Sequence, residues 1–316
     1  MEFRVVAVPM KENEVIIVNG IPDVDYANLI SACVKYAVIS LPFTVNRMAI
    51  DDVKKRVLNI AKGKIAESLF GYFCEKNTIS PDFKTCTTPF WTTDRKDFIL
   101  NNDEWDIKNN FIYYPNNQLK ELRYSDLPAL VPDRYHGDQW SKRNKVEFSE
   151  TTSPRFLFTF LQNTELNDGV RGREFLEIIL SEAQIRLLRK LDEKFKGNPQ
   201  ESSPFSEEKF WEAMLQKGDV QLFKLNLKPS LVITAYACAK HWDFFKNTGK
   251  SDETNNFQHY LNPTWYVKTP SGAINFMTGT LWTKITNATT PVAFLPSFLS
   301  LFPRLRDDIA CAVIKK

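Results

Sequence analysis

The chain has 316 residues, 43% of them apolar and 25% charged, with a formal net charge of +3. That composition supplies ample core for one large elaborated domain or two, shows no internal repeat or low-complexity tract, and is too mildly basic to argue for nucleic acid by itself. Neither a run of eighteen apolar residues nor a signal-peptide pattern stands out, so a cytoplasmic location and no membrane partner are expected; the five scattered cysteines form no even disulfide framework and no Cys-x-x-Cys metal pair.

Residues 3–8 and 14–18 alternate as two strands around a Lys-Glu-Asn turn, and a helical run from Asp25 to Ile39 ends near Pro42. This portion, residues 1–49, reads as an N-terminal extension. From Asp51 to Lys76 apolar residues recur at helical spacing, among them Val53, Val57, Ile60, Phe70 and Cys74. Gly63 and Glu67 fall on that same stripe, which is expected to pack on a sheet. A carboxylate there calls for a partner or a metal. A mid-helix glycine costs about 1 kcal/mol relative to Ala and suggests close approach of a neighbouring backbone.

Residues 97–108 read as two strands joined by a polar turn at Asn101, Asn102 and Asp103. Pairing Leu100 with Trp105 sets Phe98 opposite Ile107 and Asp97 opposite Lys108. Phe98, Leu100, Trp105 and Ile107 then share a packed face, while Asp97, Asp106 and Lys108 share the other. Two carboxylates gathered on one face suit a hard divalent cation, and an ammonium two residues along the strand suits a water or a developing charge. The plainer alternative is a solvated hairpin face with an ordinary surface ion pair.

The three motifs Gly63-Lys-Ile-Ala-Glu67, Asp97 and Asp106-Ile-Lys108 come in an order that resembles the PD-(D/E)XK superfamily of restriction-endonuclease-like nucleases. The resemblance spans residues 50–115 and implies a mixed α/β fold, a central mixed sheet flanked by helices. It also implies a Mg²⁺-dependent endonuclease acting on double-stranded DNA, with Mn²⁺ able to substitute, most often a type II-like restriction enzyme in host defence. Asp97 and Asp106 would hold the metal, Glu67 would add a ligand directly or through water, and Lys108 would orient the attacking water. Asp82, in a literal Pro-Asp pair, and Asp94 are alternatives for the first acid. Double-strand cutting would favour a homodimer. Rival readings are a non-catalytic nucleic-acid-binding or assembly subunit, and a defence or transposition nuclease gated by a partner.

Beyond the hairpin the second strand runs on to a break at Pro115, with Asn110 continuing the reactive face. Residues 131–145 form a long polar, aromatic and basic loop in which Arg134, His136, Lys142, Arg143 and Lys145 are candidates for phosphate contact. The apolar stretch 154–162 is expected as a buried sheet strand, closing a catalytic core of residues 50–165. Residues 166–316 read as an α+β extension for DNA recognition, partner binding or dimerisation. Its elements are an amphipathic helix over 171–196, a second helix capped by Ser206, and strands near 220–227, 264–268, 273–277 and 280–285. Residues 231–245 fit either strand or helix.

Overall fold

The apolar runs of this chain come together in one sheet. The computed structural model describes residues 3–6, 15–19, 21–46, 50–92, 96–112, 124–131, 155–163, 175–218, 221–238, 241, 266–269, 272–275 and 288–305. Its elements begin with β1 (Phe3–Val6), β2 (Val15–Val18), α1 (Asp23–Ser40), α2 (Val53–Lys76), β3 (Phe98–Leu100), β4 (Asp103–Ile112), β5 (Pro128–Val131) and β6 (Arg155–Asn163). They continue with β7 (Leu176–Ile178), α3 (Glu182–Phe195), α4 (Glu207–Leu215), β8 (Phe223–Leu225), β9 (Pro229–Ala237), β10 (Tyr266–Thr269), β11 (Gly272–Asn275) and β12 (Ala288–Pro291).

Six strands form the main sheet in the order β1-β2-β9-β6-β4-β3. It is mixed: β4 and β6 run parallel, and the other neighbours run antiparallel. Central β6 is buried from Phe156 through Gln162, as a strand covered on both faces must be. Residues 231–237 belong to β9, which resolves their helix-or-strand ambiguity in favour of strand. The boundaries drawn at 49/50 and 165/166 do not divide this sheet, because β1 and β2 come from the first segment, β3, β4 and β6 from the second, and β9 from the third. Pairs β5–β12, β7–β8 and β10–β11 form small two-stranded sheets.

Helix α2 lies against the sheet and against α1. Its N-cap Asp52 accepts from the Lys55 N–H at 3.2 Å, and buried Ala61, Ile65, Leu69, Phe70 and Phe73 anchor it. By length and composition alone Asp23–Phe43 is apolar enough to cross a membrane, a test that a buried core helix also passes. Here Ile30, Val34, Ala37 and Val38 of that segment are buried in the core.

The long helix expected over 171–196 is shorter. Leu176 and Ile178 are buried and Glu177 exposed, a period of two that makes β7. Helix α3 then starts behind Ser181, which accepts from the Gln184 N–H while the Gln184 side chain accepts from the Ser181 N–H. Ser206 caps α4 as expected, accepting from the Lys209 N–H. Cys33, Cys74, Cys86 and Cys238 are free thiols.

Two devices fix the segment between α1 and α2. Buried Arg56 reaches Asp192 of α3 at 2.5 Å and donates to the carbonyls of Leu41 and Thr44, each at 3.2 Å. Gly197, with φ of +68°, donates to the Pro42 carbonyl at 2.9 Å, and a side chain there would meet Val45 Cα at 2.9 Å. Residues 41–46 thereby become a rigid wall beside α2.

Candidate active site

The hairpin of β3 and β4 closes more tightly than its sequence suggests. Asn101 (φ 54°) and Asn102 (φ 64°) both adopt the left-handed conformation, which makes a two-residue primed turn. Phe98 pairs with Trp105, Ile99 with Glu104 and Leu100 with Asp103, two residues away from the expected register. An even shift keeps every side chain on its face. Phe98, Leu100, Trp105 and Ile107 are buried, with the Phe98 and Trp105 rings stacked 5.7 Å apart and Phe70 of α2 packed 5.0 Å from Phe98.

The shift changes the partner of Asp97. Asp97 sits one residue before β3, its N–H donates to the Trp105 carbonyl at 2.8 Å, and its Oδ2 accepts from the Ile107 N–H at 2.5 Å. It therefore abuts Asp106 and Ile107 instead of facing Lys108. Lys108 instead pairs with Asp106 and lies over the Phe156 ring at 4.9 Å.

Asp97, Asp106 and Glu67 line a single cleft of about 400 Å³. The stripe on α2 splits as it meets this cleft. Phe70 and Cys74 are buried in the core, whereas Ile60, Gly63 and Glu67 line the opening. Gly63 does not serve close packing, since a Cβ built there would meet nothing within 4 Å. It leaves the cleft floor clear. Glu67 is half-buried and bonded to Lys64 at 2.8 Å, and the Lys64 ammonium lies 5.0 Å from the Tyr36 ring centroid.

The electrostatics of the cleft are unfavourable to its own acids. Burial, then the negative charges of Glu67 and Asp106, push the Asp97 carboxyl well above the ordinary carboxylate range; Lys64 and the Ile107 amide pull it down. Ordinary surface carboxylates do not behave this way. Asp82 contrasts with Asp97: it is exposed and accepts from the N–H of Thr85 at 2.9 Å and its hydroxyl at 2.5 Å. Those bonds hold its pKa down, so it caps its own turn. Asp94 lies outside the described residues, as do Arg134, His136, Lys142, Arg143 and Lys145.

Among the described residues no three His, Cys, Asp or Glu side chains are gathered closely enough to hold one metal ion together. A hard cation could draw on Asp97 and Asp106 directly, with Glu67 reaching it through water. Sequence reasoning missed Lys64, although it lies between Gly63 and Glu67 one helical turn from its partner. It also missed Tyr36, Ser40, Phe43, Asn46 and Phe90, which reach the cleft from other segments and carry no local signal. No family model, curated protein or solved structure matches this chain.

Proposed function

We propose that the chain is a Mg²⁺-dependent endonuclease that hydrolyses phosphodiesters of double-stranded DNA, on a fold of the restriction-endonuclease-like kind. The observation that carries the reading is the meeting of Glu67, Asp97 and Asp106 in one cleft, with Asp97 destabilised as an anion by burial and then by the other two. Gathering like charges in a partly dry site costs stability, and such a cost is characteristic of sites that do chemistry. A mixed sheet with the acids on the β3–β4 hairpin and the glutamate on the helix beside it agrees with the family resemblance.

The residues fit a hard divalent cation by donor chemistry, because all three acids offer carboxylate oxygen. When bound between Asp97 and Asp106, such an ion would polarise the phosphodiester and acidify a bound water. The Asp97 carboxylate is oriented by the Ile107 N–H, which leaves its second oxygen for the site. Lys108 is held at Asp106, does not itself line the cleft, and would have to swing from that pair to orient the attacking water or stabilise charge on phosphorus. In the reaction the water oxygen bonds to phosphorus, the bond to the 3′-oxygen breaks, and the leaving oxygen takes a proton. Restriction in host defence is the setting the family resemblance favours, and a homodimer would cut both strands.

A non-catalytic binding subunit is the second reading, favoured by one observation: Lys64 and Lys108 already neutralise two of the three acids. The experiment is incubation of purified protein with plasmid and bacteriophage DNA, with Mg²⁺ or EDTA, beside folded Asp106→Asn and Lys108→Ala variants. Fragments that need Mg²⁺ and vanish in both variants support the nuclease. Cleavage retained by both variants removes the site assignment, and no cleavage by any form leaves the binding subunit.

A further inference from the structure

The acid cluster already has a positive charge beside it inside the cleft. Among the described residues that line the cleft, only Arg56 and Lys64 are cations, against the carboxylates of Glu67, Asp97 and Asp106. Arg56 is committed elsewhere, to Asp192 and to the carbonyls of Leu41 and Thr44. Lys108 pairs with Asp106 without lining the cleft, its ammonium 4.9 Å from the ring centroid of buried Phe156. Lys64 is thus the ammonium that meets the acids from within.

Its placement follows from the helix. Lys64 precedes Glu67 by one helical turn, so the two side chains pair along α2 at 2.8 Å. The same ammonium lies over the ring of Tyr36, which reaches the cleft from α1, at 5.0 Å from its centroid. The two paired side chains are 24% and 23% exposed, and a pair that wet is weakly held. An ammonium on a four-carbon stem can therefore change partners without any shift of α2. Its charge also favours ionisation of Asp97, so Lys64 serves the cluster as well as Glu67.

We propose that Lys64 is the resident counter-cation of this cluster, that it leaves Glu67 when a divalent cation binds the acids, and that it then meets the phosphodiester from the Tyr36 side of the cleft. Like charges repel, so an ion drawn to Asp97 and Asp106 competes with the ammonium for the field of the same carboxylates. The charges balance in that arrangement. The two charges of the ion and that of Lys108 match the three carboxylates, and the Lys64 charge is left over for the single negative charge of a phosphodiester. Tyr36 offers the displaced ammonium a ring face. The counter-cation half rests on the acids alone, and the phosphodiester half rests on the nuclease reading.

The test titrates the full chain with Mn²⁺ in the absence of DNA, following the paramagnetic resonance of the free ion, at mildly alkaline pH so that protons compete little. Lys64→Met and Lys64→Gln are expected to bind Mn²⁺ about tenfold more tightly than wild type, the order expected when a unit charge is removed a few ångströms from a divalent ion in a half-solvated site. The second variant covers the case in which the first does not fold. Lys64→Arg, which keeps the charge, and Lys96→Met, which loses one from a pair outside the cleft, should stay within about twofold of wild type. In Mg²⁺, DNA cleavage by Lys64→Met and Lys64→Gln should fall about a hundredfold in spite of the tighter metal, as for loss of one group that stabilises transition-state charge. No Mn²⁺ binding by wild type, wild-type affinity in folded Lys64→Met and Lys64→Gln, or an equal gain in Lys64→Arg overturns the counter-cation. Undiminished cleavage by Lys64→Met and Lys64→Gln overturns the contact with the phosphodiester. Tighter Mn²⁺ binding with no cleavage by any form, wild type included, leaves the counter-cation standing and removes the nuclease.

Discussion

Two charged groups on α2 and its neighbours have opposite surroundings. Arg56 is 7% exposed and meets a carboxylate and two carbonyls, so its charge is compensated on every side. Burial, then Glu67 and Asp106, oppose the ionisation of Asp97, while Lys64 and the Ile107 amide favour it. The first arrangement holds α2, α3 and the 41–46 wall together. The second stores unfavourable electrostatics at the mouth of a cleft, and a fold keeps such a cluster where a ligand of opposite charge can relieve it.

The largest test of this contrast is on activity. Asp106→Asn is expected to lower the rate of Mg²⁺-dependent DNA cleavage by about 10³-fold or more, the scale of losing a ligand in metal-assisted hydrolysis, with the circular dichroism spectrum unchanged. Arg56→Ala should instead act on the fold, costing about 3 kcal/mol in urea unfolding, because Asp192 and the carbonyls of Leu41 and Thr44 lose their common donor. An Arg56→Ala protein as stable as wild type would remove the distinction.

Asp97→Asn is expected to go the other way and stabilise the protein by about 1 kcal/mol at neutral pH while cleavage is lost. The sign in pH follows from the raised carboxyl. Asp97 binds a proton more tightly folded than unfolded, so its contribution favours the fold fully below the ordinary carboxylate range and is lost as pH rises through the raised native value. Urea unfolding across mildly acidic to neutral pH should show this decline in wild type and a flatter profile in the variant. The smallest effect belongs to Lys64→Met. The Lys64–Glu67 pair is partly exposed, so stability should change by only a few tenths of a kcal/mol. Removing its positive charge should still move the acidic limb of the cleavage profile to higher pH, since Lys64 lowers the Asp97 pKa.

The elements that carry the acids were legible because their signals are local. Helical spacing from Val53 to Cys74 and alternation around Asn101 and Asn102 each needed only nearby residues, and both elements formed. The register is not legible locally because it depends on both asparagines taking positive φ, which shortens the turn from four residues to two. The two-residue shift is what brings Asp97 beside Asp106 and Ile107. The short apolar stretch at Leu176 and Ile178 fits either period, and the capping pair Ser181 and Gln184 marks where the helix starts. The cleft wall was not legible at all. Ser40, Phe43, Phe90 and Arg56 converge only through tertiary packing, held by Gly197 and Asp192 from well over a hundred residues downstream of α1.

The central claim is that Asp97 and Asp106 form a cation-dependent site instead of a patch of surface charge. Thermal unfolding with and without Mg²⁺, on wild type, Asp97→Asn, Asp106→Asn and the exposed control Asp52→Asn, tests it without reference to any DNA sequence. Mg²⁺ should raise Tm for wild type and Asp52→Asn and leave Tm unchanged for both site variants, with Asp97→Asn already the more stable protein in EDTA. An equal Mg²⁺ response in all four proteins, or none in wild type, would contradict the account.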